Sequence, residues 1–555
     1  MASTAWLSPE RRNRRGADRN WSSSAPHTDC DQDVYLSDAE QFSAEGENGA
    51  AVPRTQDRLQ ALLSRSHDPA QLKEKSVRGG VAVILSQGIG SVLQLGTLLV
   101  LARLLSPTDY GLQAMVLSLT NLVSLLKDAG LNFATVNREN LTHEQISTLF
   151  WINIALGIVL TLIVAAASYF LVLFYKDSRL FWITMASSSI FFLNSLSVQH
   201  RALLDRSLRF TVSATIDISS GVLCTVVAIA MAAMGFGYWS LICQNISLAL
   251  FGAVGVWLAM PWLPGRPRWT PDSQSMVRLG GTVTLNSIVT YFAYNTEKIL
   301  LGRFWGPALL GIYGRAYQLV NLPVQQVTSS VGSVAFPMLS RLQSDPQRLR
   351  RSYLKSHSLV VSVTVPAVFS CALFAHDLVG TLLGPKWQGA APVLRLLTPA
   401  MLVIALMNPL SYLLRAVAQV ERSLKIALVI APAVILGDLA GLRHGPVGVA
   451  IGYSAAMLVL WIPLVAWAKH GTGVTFADYW DCIRRPLTAI VAAGTAAWLF
   501  RYAAHGALPP VALLGGELAV LFASYGALLM FVMGQKDLYL DLIREMLRRN
   551  RPVAV

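Results

Sequence analysis

From Val77 onward the chain returns fourteen times to an apolar run of about twenty residues with few or no charges. These runs lie at roughly 81–102, 111–126, 149–174, 181–199, 212–234, 238–260, 279–301, 308–335, 357–380, 391–414, 424–442, 446–468, 486–504 and 510–533. Such runs have few structural solutions. About twenty helical residues cross the hydrocarbon core of a bilayer, and lipid offers no partner to a backbone N–H or C=O, so each run must satisfy its own backbone as a helix. The prediction is an all-α polytopic membrane protein with about 14 transmembrane helices. Composition agrees, with 54% hydrophobic and only 14% charged residues, against about a quarter charged in soluble domains.

The formal charge of +14 fits the same picture. Basic residues gather in alternate loops: Lys73, Lys75 and Arg78 before the first run, Arg201, Arg206 and Arg209 after the fourth, and Arg341, Arg348, Arg350 and Arg351 after the eighth. The loops between are short and nearly neutral, as in "GFGYW" at 235–239. Positive loops stay in the cytoplasm, so both termini of this multi-pass protein are expected there. The basic excess therefore points to membrane topology and not to nucleic acid. Residues 1–76 combine "RRNRR" with an acidic, Ser-rich stretch and are expected to be a disordered cytoplasmic tail.

Chemistry of other kinds leaves no trace. The five cysteines are scattered without metal spacing, the nine histidines form no ligand or base-orienter pattern, and no G-x-x-x-x-G-K-[ST] phosphate loop occurs. Neither cofactor nor metal is expected, and ATP use by this chain is excluded.

The chain writes one turn twice. "LARLLSPTDYG" at 101–111 returns as "LGRFWGPALLG" at 301–311. With a fixed offset, Gly80, Arg103, Pro107, Gly111, Leu119, Asn121 and Leu122 match Gly280, Arg303, Pro307, Gly311, Leu319, Asn321 and Leu322. The first two runs thus correspond to the seventh and eighth. A repeat of six spans preserves orientation, and parallel repeats related by an axis along the membrane normal are a transporter architecture. The expected division is a tail (1–76), an N-lobe of spans one to six (77–265), a C-lobe of spans seven to twelve (266–470), and a C-terminal helix pair with a basic tail (471–555).

Polar residues within spans face a protein interior or a wet cavity. In the first span Gln87, Ser91, Gln94 and Thr97 share a face; in the seventh Asn286, Thr290, Tyr294 and Glu297 do, with Lys298 adjacent; in the eighth Arg315, Gln318, Gln325, Ser329 and Ser333 do, with Asn321 nearby. Pro323 invites a kink in the eighth. These stripes lie on the spans that carry the repeat, so they are candidates to line a cavity on the pseudo-axis. Interhelical hydrogen bonding is the alternative. Arg78, Arg138, Arg303 and Arg315 could present guanidinium forks to phosphate oxygens, while Asn and Gln suit sugar hydroxyls. The buried acids Asp217, Asp438 and Glu517 are isolated in sequence; each could be a proton or ion site, with helix packing or an interfacial role as the preferred reading.

At these residues the chain resembles the Wzx-type polysaccharide exporters, closest to the colanic-acid and exopolysaccharide branch of the multidrug/oligosaccharidyl-lipid/polysaccharide exporter superfamily. The resemblance rests on "LARLLSPTDYG", "FWIN" at 150–153, "RALLDRSLRF" at 201–210, "EKILLGRFWGPALLGIYGRAYQLVNLP" at 297–323 and "FPMLSRLQSDPQRLRRSYL" at 336–354. It implies two lobes plus a C-terminal pair, and flipping of undecaprenyl-pyrophosphate-linked oligosaccharide repeat units between leaflets by alternating access, beside a polysaccharide polymerase and a chain-length regulator. The family's acidic position after Tyr-Asn-Thr is Glu297 here, and its neighbour Lys298 is placed to neutralise it. Two other readings stand beside this one: an exporter of another cargo, such as peptidoglycan lipid or a drug cation, and a membrane polysaccharide polymerase or glycosyltransferase. The latter needs a carboxylate or base constellation on a large outer loop, and every such loop here is short.

Overall fold

A computed structural model describes residues 69–127, 142–267, 271–417, 420–504, 506 and 508–535. Arg138, the tail at 1–68 and the basic end at 536–555 lie outside the described residues, as do the side chains of Arg78, Asn286 and Tyr294. Among the described residues there is no strand. The helices are α1 (Pro69–Leu104), α2 (Pro107–Lys127), α3 (His143–Tyr175), α4 (Arg179–Arg206), α5 (Phe210–Ala233) and α6 (Tyr238–Ala259). A long element, Pro271–Arg341, breaks at Gly306 (φ 77°, ψ 179°) into α7 (271–305) and α8 (307–341). Then come α9 (Pro346–Leu373), α10 (Ala390–Ala416), α11 (Val420–Gly441), α12 (Gly445–Lys469), α13 (Phe476–Ala504) and α14 (Pro510–Ala527).

The predicted spans fall on these helices, with 357–380 and 510–533 running past the ends of α9 and α14. Ten described segments are long and apolar enough to cross a membrane, one of them (425–469) comprising α11 and α12 in series. Helices α2, α7 and α8 are not among the ten. The polar stripe of α8 lowers its hydropathy, and the three are among the four helices that flank the repeated turn. The dihedrals stay helical through Pro323, and the non-helical residue of Pro271–Arg341 is Gly306, within the repeated turn.

Side-chain caps close the helix starts, where backbone N–H groups have no helical partner. Ser106 Oγ accepts from Asp109 N (3.3 Å) while Asp109 Oδ2 accepts from Ser106 N (2.9 Å), with Pro107 as first residue of α2. Thr142 and Gln145 repeat the arrangement at α3, and Thr475 with Asp478 at α13. Each cap contributes about 1 kcal/mol.

Helix α1 packs on α5, α5 on α6, and α4 on α3 and α6; α10 packs on α9 and α12, α11 on α12, and α13 on α9 and α14. The most extensive interface joins α2 to Pro271–Arg341. It is reciprocal. A Cβ on Gly111 would stand 1.7 Å from the Pro307 carbonyl oxygen, and one on Gly311 would stand 1.9 Å from the Pro107 carbonyl oxygen. The two copies of Pro-x-x-x-Gly therefore pack on one another backbone to backbone. Small residues permit this approach between membrane helices, where van der Waals contact supplies the attraction.

Candidate functional site

A cavity of about 530 Å³ opens between α1, α2, α5 and α6, with α8 contributing Arg315 and Gln318. Five carboxamides line it: Gln94 from α1, Gln113 from α2, Gln244 and Asn245 from α6, and Gln318 from α8. Arg315 and Gln318 lie one turn apart, so both reach the same opening, and Arg315 Nη1 donates to Gln318 Oε1 at 2.5 Å. The guanidinium carbon rests 3.7 Å from the centre of the Tyr110 ring. Among the described residues no carboxylate pairs with Arg315, so its charge is balanced only by an amide oxygen and a ring face. A guanidinium held this way in a membrane helix is suited to receive an anion.

A second cavity of about 510 Å³ lies between α2, α4, α5 and α6. Leu117, Asp217, Asn245 and Leu248 line both, so the two adjoin. Asn121, Asn194 and Asn245 project into it from three helices, and Arg201 donates to Asp217 at 2.7 Å on its wall. Asp217 is thus paired rather than isolated, because α5 brings it to the end of α4.

The other half of the molecule holds a different cluster. Glu297 is fully buried, 3.7 Å from Lys298 Nζ. Lys298 donates to Asn295 Oδ1 at 2.8 Å and sits 4.8 Å from the Tyr317 ring centre. Asp438 on α11, also fully buried, lies within electrostatic range of Glu297. None of the four carboxylate oxygens has a hydrogen-bond partner among the described residues, nor does the Tyr313 hydroxyl. At the repeat offset Glu297 corresponds to Thr97, which shares a 2.9 Å hydrogen bond with Thr225 of α5. One half places a hydroxyl pair between its first and fifth helices. The other places a carboxylate pair. Glu517, likewise read as isolated, lies 3.8 Å from Arg501, which also pairs with Asp377 at 2.5 Å.

Contacts at the repeated turns link the halves. Arg103 donates to the Thr381 carbonyl at 2.6 Å, and Trp387, fully buried, donates to the Ala102 carbonyl at 2.8 Å. Tyr110 meets Trp387 edge to face with centroids 5.4 Å apart.

The structure brings Gln94, Arg315 and Gln318 together at one cavity. It leaves Gln87, Asn321 and Gln325 off both cavity walls, with Gln87 and Gln325 exposed. Arg303 also stays away, held near the rings of Phe174 and Phe304, because its turn carries aromatic residues where its counterpart Arg103 has a carbonyl partner. Glu297 and Lys298 form the separate cluster above. The sequence reading missed Tyr110, Gln113, Asn194 and Gln244. Helical periodicity shows which residues share a face but not which helix that face meets.

The profile of the family described as polysaccharide biosynthesis protein matches residues 100–392. Among curated proteins the chain is similar to the lipopolysaccharide biosynthesis protein WzxC of Escherichia coli (strain K12), 28% identical over 404 residues, covering 70% of this chain and 80% of that one. It is also similar to the succinoglycan biosynthesis transport protein ExoT of Rhizobium meliloti (strain 1021), 25% identical over 305 residues, 55% of this chain and 62% of that one. Among solved structures it shares the fold of the lipid II flippase MurJ in an inward closed conformation, with a TM-score of 0.65 and 13% identity over 84% of this chain and all of that one. With more than half of its length inside the family profile, the chain belongs to the polysaccharide biosynthesis protein family.

Proposed function

We propose that this protein is a transporter that moves polyprenyl-pyrophosphate-linked oligosaccharide repeat units from the cytoplasmic to the outer leaflet of a bacterial cytoplasmic membrane, for exopolysaccharide or lipopolysaccharide synthesis. The observation that carries the reading is Arg315, a guanidinium without a carboxylate partner among the described residues, at the wall of a carboxamide-lined cavity within a helical membrane bundle. The relatives named for lipopolysaccharide biosynthesis and succinoglycan transport support the cargo class. In this reading 77–265 and 266–470 are two lobes about a pseudo-two-fold along the membrane normal, 471–555 is an appended pair with a tail, and both termini are cytoplasmic. The contacts of Arg103, Tyr110 and Trp387 then close the outer side.

Alternating access would rock the lobes about that closure. The pyrophosphate would sit on Arg315 with Gln318 and the side chain of Gln94 in reach, while the polyprenyl tail stays in lipid. Glu297 and Asp438 are the candidate coupling site: two buried carboxylates, one ion-paired with Lys298, can share a proton or a monovalent cation. A drug-cation cargo fits less well, because the cavity itself presents an unpaired cation. Action beside a polymerase and a chain-length regulator follows from the family resemblance.

The test is a deletion strain assayed for extracellular polysaccharide and for the leaflet that holds its lipid-linked repeat units. Complete units trapped on the cytoplasmic side, with export lost, are expected. Unpolymerised single units accumulating on the outer side would sink the proposal and point to a polymerase.

A further inference from the structure

Building on the transport reading above, we infer that the chamber between α2, α4, α5 and α6 is a sugar subsite selective for uncharged, hydroxyl-rich rings, distinct from the anion-holding wall at Arg315. Three independent features carry this. The first is unused amide chemistry. Asn121, which is exposed, and Asn194, half-buried, line the chamber, and neither side chain has a hydrogen-bond partner among the described residues. Their amide groups are therefore open to the chamber, where a ligand hydroxyl can replace water as their partner. Asn245 uses one N–H on the Leu241 carbonyl at 3.2 Å, leaving its other N–H and its oxygen free.

The second feature is the balance of donors and acceptors. Ser124 and Ser197 donate their protons to the carbonyls of Thr120 and Asn194, each at 2.7 Å, so toward the chamber they offer lone pairs. With the amide N–H groups the wall thus presents both donors and acceptors. A sugar hydroxyl is both at once, whereas a phosphate or carboxylate is an acceptor alone.

The third feature is charge. The chamber's one lining cation, Arg201, is bound by Asp217 at 2.7 Å, and Asp205 lies within electrostatic range of both. An acidic sugar would find its cation already occupied, in contrast to the unpaired Arg315 next door. The volume of about 510 Å³ falls within the ~300–1,000 Å³ of small-ligand sites. The shared wall at Leu117, Asp217, Asn245 and Leu248 lets one ligand occupy both compartments, with its charged head at Arg315 and neutral rings beside the asparagines.

The experiment uses the full chain in lipid nanodiscs. Saturation-transfer NMR reports binding of cellobiose, a neutral probe, and of cellobiouronic acid, an acidic one; phosphorus NMR line broadening reports inorganic pyrophosphate. Expected are transfer to cellobiose above that to the acidic disaccharide, a severalfold loss of cellobiose transfer in Asn121→Ala/Asn194→Ala with pyrophosphate broadening kept, and a shift toward the acidic probe in Asp217→Asn. If the double variant is not recovered folded, Asn121→Ser carries the same comparison. No transfer to cellobiose in the wild type, equal transfer in wild type and asparagine variant, or wild-type preference for the acidic probe would each overturn the subsite. Arg315→Gln separates the two readings: it should lose pyrophosphate and keep cellobiose. Cellobiose binding without any pyrophosphate binding in the wild type would leave the subsite standing and remove the support for a pyrophosphate-linked cargo.

Discussion

Arg315 is held by a ring face and an amide oxygen, partners that orient a guanidinium without neutralising it. A ligand anion would add a charge-assisted contact of about 1.5–3 kcal/mol, so Arg315→Ala should lower polysaccharide export by roughly 10- to 100-fold with the protein still present in the membrane. Arg315→Lys should recover part of it, since the charge stays and the fork is lost. Export at wild-type level in the alanine variant would move Arg315 to a packing role. For Glu297 the readout is energetic coupling. Glu297→Gln and Asp438→Asn should each abolish the response of export to collapse of the ion gradient, whereas Thr97→Val, at the matching position of the other half, should leave that response intact. A gradient response unchanged in both acid variants would exclude the pair as the coupling site. Arg315, Gln318 and Gln94 were legible in the sequence because they recur every three or four residues among apolar neighbours. Asp217 and Asp438 read as isolated because their partners, Arg201 and Glu297, lie on other helices, and only packing brings them together.

The two repeated turns reach one geometry by different chemistry. Before α2 the turn is closed by Ser106 and Asp109 capping each other. Before α8 the matching position is Gly306, whose φ of 77° with an extended ψ belongs to a region that only glycine adopts readily. Gly306→Ala should therefore cost about 1–3 kcal/mol, seen as a lower unfolding temperature in detergent, while Ser106→Gly should cost only a few tenths of a kcal/mol, the small penalty of a glycine cap. Equal shifts in the two would contradict this assignment. Gly111→Ala should be more damaging than either, because its methyl would meet a backbone carbonyl and not a side chain that can rotate away. The break between α7 and α8 falls at Gly306, inside the turn that the sequence writes twice. A proline removes one donor, but a left-handed glycine redirects the chain.

Across the whole bundle, membrane spans were the most legible feature, since lipid leaves a helix as the one solution for each apolar run. The helices that are not among the ten apolar segments, α2, α7 and α8, form the most extensive interface and supply Arg315 and Glu297. Hydropathy undervalued them because it counts polar residues such as Gln113, Arg315 and Glu297 that the bundle encloses. The closure formed by Arg103, Tyr110 and Trp387 gives a prediction at this scale. With the five native cysteines replaced by serine and Gln113→Cys as a reporter in the cavity, a membrane-impermeant thiol reagent added outside the cell should label slowly. Trp387→Ala, which removes the bond to the Ala102 carbonyl and the contact with Tyr110, should speed labelling severalfold. An unchanged rate would place the outer closure elsewhere.

The contact between the two Pro-x-x-x-Gly turns ties the histories of the chain's halves together. At Gly111 the limit on what the first half can become is set by Pro307, and at Gly311 the limit on the second is set by Pro107. Two segments far apart in sequence therefore cannot drift separately: each is the mould in which the other is cast.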